Sequence, residues 1–241
     1  MGEDNYILAW SDDFETQGQI DRKKWKFDVG GGCWGNGELQ CYTDNANNIF
    51  IKDKVLHIRA YKENYQNFEY TSARIVSRES WKYGKIQIRA KLPLERGTWP
   101  AIWMLPDDFN GDNWPQCGEI DIVEHVAHMF GKVHFSLHSF KYNWMKENRY
   151  NRIIDIGNAV TEFNTYELEW DKNGFKLFIN EEEVIKISKD QEEDESAWPF
   201  DKRYHLIMNV AVGGWGGWNG IGGDWPQDLE IDYIRVYQNV I

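Results

Sequence analysis

No stretch of this chain shows the period of a long amphipathic helix. Its apolar residues fall instead into short runs that alternate with polar ones and stop at turn signals. Val55-Leu-His-Ile-Arg-Ala60 follows the turn-like Lys52-Asp-Lys54, and Lys85-Ile-Gln-Ile-Arg-Ala-Lys-Leu92 alternates cleanly until Pro93. Tyr166–Trp170 passes through Asp171-Lys-Asn-Gly174 into Phe175–Ile179, a hairpin with an Asn-Gly signal. Val184–Ile187 is another such run, His205–Val212 reads as buried on both faces, and Leu229–Tyr237 closes the pattern. The turn around Pro199-Phe-Asp-Lys-Arg203 is the one candidate for a short helix. Many short strands with regular turns predict an all-β, antiparallel sandwich. No composition shift marks a boundary, so residues 1–241 read as one domain. The acidic stretch Asp190–Glu195 reads as a solvated loop within it.

Composition narrows the function. A net charge of -12 argues against nucleic acid and anionic lipid as partners. No apolar run approaches the roughly 20 residues of a membrane helix. The start, Met1-Gly-Glu-Asp-Asn-Tyr6, shows neither a basic nor an apolar segment of a secretory signal. Cys33, Cys41 and Cys117 show no metal spacing and allow one disulfide or three thiols. The outlier is aromatic content, 13 Trp, 12 Tyr and 12 Phe in 241 residues. Packing accounts for Trp81, Trp103 and Trp170, but Trp34, Trp99, Trp114, Trp215, Trp218 and Trp225 lie in Gly-rich or polar segments. A flat apolar ring with one N–H suits the C–H face of a sugar, so these point to a carbohydrate cleft.

One run carries chemistry. Cys117-Gly-Glu-Ile-Asp-Ile-Val-Glu-His125 sets Glu119, Asp121 and Glu124 among β-branched residues. On a strand Glu119 and Asp121 share a face, and Glu124 is out of phase. A one-residue bulge near Ile122-Val123 brings it back. Three acids on one face repel one another, which marks the strand as a candidate catalytic site. Glycoside hydrolysis needs two carboxyl groups flanking the scissile bond. Across the bulge Glu119 and Glu124 are roughly 13 Å apart at Cα, at ~3.3 Å per residue. Side chains leaning in by about 4 Å each leave a gap of roughly 5 Å, the range of a retaining mechanism. Asp121, between them, can bond one Glu and help hold a proton on the other. Two other readings stand beside this one: a site for Ca²⁺ or Mg²⁺, and an edge strand with a solvated acidic face.

Glu119-Ile-Asp-Ile-Val-Glu124 resembles the catalytic signature of glycoside hydrolase family 16, in the bulged form of laminarinases and related β-1,3-glucanases. Lichenases of the bacillus type have one residue fewer between the Asp and the second Glu. The resemblance continues in Trp10–Phe14, Gly32–Gln40, Tyr70–Ile75, Gly97–Leu105, Val133–His138, Asn209–Gly214 and Ile231–Tyr237. It implies a β-jelly-roll of two antiparallel sheets with a concave cleft. The implied activity is retaining endo-hydrolysis of β-1,3 or mixed β-1,3/1,4 glucans. Activity on agarose, carrageenan or xyloglucan, and a non-catalytic glucan-binding module, are the alternatives.

By position, the resemblance makes Glu119 the nucleophile, Glu124 the acid/base and Asp121 the assisting acid. It puts Trp103 under the sugar next to the cleaved bond and Trp99 along the cleft. Asn36, Glu38 and Arg74 would hydrogen-bond sugar hydroxyls, and His138 would lie near the leaving group. Trp215 and Trp218 compete for an aromatic role at the glycone end. No cofactor is expected for catalysis. A structural Ca²⁺ is expected on Asp13, the main-chain carbonyl near Lys54, and Asp232. The expected partner is a β-glucan, the expected acting unit a monomer, and the expected location secreted or cell-envelope.

Overall fold

A computed structural model describes residues 6–239; the reading of Met1–Asn5 lies outside them. The described residues form β1 (Tyr6–Asp12), β2 (Trp25–Phe27), β3 (Gln40–Tyr42), β4 (Ile49–Lys52), β5 (Val55–Tyr65), β6 (Phe68–Ser72), β7 (Arg74–Trp81), β8 (Gly84–Lys91) and β9 (Thr98–Pro106). After these come β10 (Glu119–Glu124), β11 (Lys132–His138), β12 (Tyr150–Asp155), β13 (Asn164–Asp171), β14 (Gly174–Ile179), β15 (Glu182–Ser188), β16 (Tyr204–Val212) and β17 (Gln227–Asn239). They make two sheets. One runs β15-β14-β13-β8-β17-β5-β6-β3, with β1 on β17 and β4 on β5; the other runs β12-β11-β10-β9-β16-β7-β2. The fold is the all-β jelly-roll sandwich that the alternating runs and the resemblance predict.

Alternation explains the core. β8, β13 and β14 bury every second residue, and those residues, with Ile120, Ile122, Val133, Leu206 and Met208 of the facing sheet, form one apolar interior. β16 is buried on both faces, as its continuous apolar run requires. One face joins the interior, and the other contributes Ile207 to a small apolar cluster with Val76 and Leu105 under Trp103 and Trp114. The hairpin between β13 and β14 is closed by Asp171, whose Oδ1 accepts from the Asn173 and Gly174 N–H groups. Gly174 has φ +151°, and a Cβ there would lie 2.0 Å from the Ile187 carbonyl oxygen, so only glycine fits.

The structure departs from the sequence reading in three places. β3 and β6 pair in parallel, the other strand pairs being antiparallel. They are joined through β4 and β5, a connection long enough to bring β3 in alongside β6 in the same direction. Residues 199–203 form no helix. Their carbonyls serve side chains instead: Tyr204 Oη donates to Pro199 O and Trp170 Nε1 to Phe200 O. Phe200 is held by rings of Phe175, Trp198 and Tyr204. Short 3-10 turns occur elsewhere, at Ala127–Met129, Trp144–Lys146 and Gly214–Gly217, where no periodicity signals them. All three cysteines are free thiols. Among the described residues no helix is long and apolar enough to cross a membrane.

Candidate active site

β10 is a bulged strand. Against β11, Glu119 pairs with His138, Asp121 with Ser136 and Glu124 with His134, so three steps on β10 meet two on β11. Against β9 the same slip falls between Asp121 and Val123. Ile120, Ile122 and Val123 all enter the core, and Glu119, Asp121 and Glu124 share the opposite face. The bulge thus lies where the out-of-phase Glu124 requires it. Gly118 sets the entry: its φ is +88°, and a Cβ would lie 2.4 Å from Tyr204 Oη.

Each outer acid is held by its own indole. Trp114 Nε1 donates to Glu119 Oε2 at 2.9 Å, and Trp99 Nε1 to Glu124 Oε1 at 3.0 Å. His138 Nε2 lies 3.2 Å from Asp121 Oδ2 and 3.9 Å from Glu119 Oε1. Burial pushes all three carboxyls up. Glu119 reaches about 8, with the Asp121 charge adding to burial, and Asp121 is raised well above the usual carboxylate range. Burial lowers His138, favouring its neutral form. Three such acids cannot all be charged, so the site retains protons that an acid catalyst can use near neutral pH. Glu119, Asp121 and His138 also offer atoms within 4.8 Å of one another. Within that compact set Asp121 stands opposite Trp103 of β9.

Trp103 sits beside Asp121 on β9 and is only partly buried, with its ring toward the cleft. Its Nε1 donates to Asn209 Oδ1 at 2.8 Å, Asn209 Nδ2 to Tyr42 Oη at 3.0 Å, and Tyr42 Oη to Glu38 Oε2 at 3.0 Å. Glu38 also accepts from Gln40 Nε2 at 2.6 Å and Asn36 Nδ2 at 3.2 Å. Glu38 is buried, so its carboxylate anchors the Gly32–Gln40 loop to the Trp103 platform where a contact with sugar hydroxyls was expected. Asn36 is exposed at the tip of that loop. Arg74 is sandwiched between Trp34 and Trp103, 4.8 Å from each ring centre, and its Nε lies 3.0 Å from Asp28 Oδ2. The ion pair fixes the guanidinium at the edge of the platform.

Trp215 packs edge-on against Trp99 and against His134 of β11. It stands at the Glu124 end of β10. Trp218 is 75% exposed and stacks on His128. Asp13, Lys54 and Asp232 are engaged elsewhere. Asp13 takes Arg235 at 2.6 Å, Asp232 takes Arg89 at 2.5 Å, and Lys54 pairs with Glu15 at 2.8 Å. Each carboxylate expected to hold Ca²⁺ is occupied by a guanidinium, whose charge opposes a divalent cation. Paired in this way, the two carboxylates do not fit the ion.

Sequence reading missed the clamp roles of Trp114, Asn209 and Tyr42, and it missed Ser136, Asn151 and Arg149 around Glu124. The segments Val133–His138 and Asn209–Gly214 held two of these residues, but only strand register shows which of their side chains face the cleft.

The family model for glycosyl hydrolases family 16 matches residues 35–235. The chain belongs to glycosyl hydrolases family 16. It is therefore a glycoside hydrolase, as the paired glutamates imply. It is 44% identical to the β-glucanase of Rhodothermus marinus over 97% of this chain and 86% of that protein. Among solved structures, the laminarinase from Rhodothermus marinus superposes with a TM-score of 0.94 at 43% identity, over 98% of this chain and 99% of that one. A mutant of SCLam, a non-specific endo-β-1,3(4)-glucanase of the family, superposes with a TM-score of 0.93 at 34% identity over 98% and 96% of the two chains. That mutant presents a 1,3-β-D-cellobiosyl-glucose at its active site. Two longer relatives, glucan endo-1,3-β-glucosidase A1 of Niallia circulans and the clotting factor G α subunit of Tachypleus tridentatus, are spanned over 38% and 35% of their length.

Trp114 holds Glu119 through its indole N–H. Its N–H favours the ionised form of Glu119. In a Trp114→Phe enzyme the Glu119 carboxyl rises further. The acidic limb of the kcat/KM profile should then move up by about one pH unit. A limb that stays in place would show that the indole does not govern Glu119.

Proposed function

We propose that this hydrolase is an endo-β-glucanase that cuts β-1,3 or mixed β-1,3/1,4 glucans with retention of configuration. The observation that carries the reading is the bulge, which sets Glu119 and Glu124 on one face, each held by an indole N–H. Glu119 attacks the anomeric carbon while Glu124 gives its proton to the leaving glycosidic oxygen. The covalent glycosyl-enzyme is then opened by water. Glu124 takes the water proton, and Glu119 leaves as a carboxylate. A proton on Asp121 removes the charge that pushes Glu119 up and gives Glu119 a donor, so Glu119 can react ionised. His138 and Arg149 face the leaving group, and Trp103, Arg74 and Asn36 face the sugars on the other side.

The names of the relatives support the substrate class, β-glucans with 1,3 or with mixed 1,3 and 1,4 linkages. Such polymers do not enter cells, so the enzyme acts as a secreted or cell-envelope protein, and as a monomer. No residue of the site calls for a catalytic cofactor. The test is hydrolysis of laminarin, lichenan and carboxymethyl cellulose side by side, with the anomer of the first product read by proton NMR. The reading expects cleavage of the first two, internal fragments and the β-anomer first. Cleavage of carboxymethyl cellulose alone, or the α-anomer first, overturns it.

A further inference from the structure

Ser136 lies on the cleft face of β11, opposite Asp121 and two residues from His134, the partner of Glu124. Its side chain is fully buried. Asn151, its partner on β12, donates from Nδ2 to Ser136 Oγ at 2.9 Å. An amide N–H only donates, so it fills one lone pair of the hydroxyl and leaves the hydroxyl proton to find an acceptor. The acceptor on the same cleft face of the adjoining strand is the Glu124 carboxyl, whose ionised form the Ser136 side chain favours. The bulge makes this contact: without the extra residue in β10, Glu124 would not turn back toward the Ser136 row.

We propose that Ser136, oriented by Asn151, is a positioning residue for Glu124, donating a hydrogen bond that fixes its carboxyl and sets how readily it releases and retakes its proton. The proposal rests on the reading of Glu124 as the acid/base. That residue must be protonated to expel the leaving group and ionised to activate water. A hydroxyl donor beside it favours the ionised form. The other charged or titratable groups facing Glu124 are Glu119 and Asp121 on its own strand, His134 and His138 on β11, and Arg149 just before β12. His125 and His128 follow it in the chain and bear on His134. Ser136→Ala and Ser136→Thr leave all of these in place, so a shift in their profiles reports the hydroxyl, whereas Asn151 also hydrogen-bonds His134.

The test is the pH profile of kcat/KM on laminarin for Ser136→Ala, Asn151→Ala, the double variant and Ser136→Thr, with thermal melts to confirm folding. Ser136→Ala should move the basic limb up by about one pH unit. Asn151→Ala should move it the same way by less, and the double variant no further than Ser136→Ala alone. Ser136→Thr keeps the hydroxyl and should return the limb to its place. A folded Ser136→Ala enzyme whose basic limb stays within about 0.2 unit, or moves down, overturns the proposal. Should Ser136→Ala not fold, Ser136→Gly, which also lacks the hydroxyl and leaves Asn151 and His134 in place, decides by the same criterion. Glu124→Gln is measured alongside. Near-normal turnover there would fail the acid/base reading itself, whereas an inactive Glu124→Gln with an unmoved limb in Ser136→Ala fails the positioning role alone.

Discussion

Replacing Glu119 or Glu124 by Gln will lower hydrolysis of laminarin or barley β-glucan by about 10³-fold or more, with the fold intact. The amide keeps the shape of each side chain and still accepts the Trp114 or Trp99 N–H. Gln at 119 cannot form the glycosyl ester, and Gln at 124 can neither protonate the leaving oxygen nor deprotonate water. Azide separates the two roles. With Glu119→Ala, azide attacks from the vacated face and gives the inverted glycosyl azide. With Glu124→Ala, it opens the glycosyl-enzyme and gives the retained one. Near-normal turnover in either Gln variant, or the azide products exchanged, would sink the assignment.

The same Glu119→Gln enzyme will melt at a higher temperature than the wild type above pH 8. Glu119 titrates near 8 when folded, against an ordinary 4.5. The folded protein thus binds an extra proton between these values, and its stability falls as the pH rises from about 4.5 to about 8. Burial is the largest cause, and the Asp121 and Glu124 charges add to it. Linkage sets an upper bound of about 5 kcal/mol at full deprotonation. A difference of about 2 kcal/mol would raise the Tm by about 4–8 °C in a domain of this size. The gap should be nearly closed at pH 4.5, where folded Glu119 is protonated and the unfolded carboxyl is only half ionised. Calorimetry at pH 4.5 and pH 8.5 reads it. Equal gaps at the two pH values would show that the effect is not the buried charge.

Much of the fold was legible because strands report themselves locally. The alternation in Lys85–Lys91 and the Asp171–Gly174 turn appear in the structure within a residue or two. The bulge was legible because a period of two makes one surplus residue visible as a phase error between Asp121 and Glu124. What stayed hidden depends on contacts between distant segments. Glu38 reads as a ligand residue in its loop, and only folding surrounds it with Gln40, Tyr42 and Asn36. Asp13 and Asp232 read as oxygen ligands until Arg235 and Arg89 come beside them. Pro199–Arg203 reads as a helix because its sequence does not show that Trp170 and Tyr204 will take its carbonyls.

The functional side chains form a row that crosses the strands, from Arg74 on β7 through Asn209, Trp103 and Asp121 to Ser136 and Asn151 on β12. At about 4.8 Å between neighbouring strands, the seven-stranded sheet is roughly 29 Å wide along that row. Among the described residues β12 and β2 are its two margins, with no further strand of the sheet beyond either. A trench laid across strands in this way has no strand closing either end. A polymer can enter it sideways at any point along its length, with no need to present a terminus, and both cut pieces can leave without threading back.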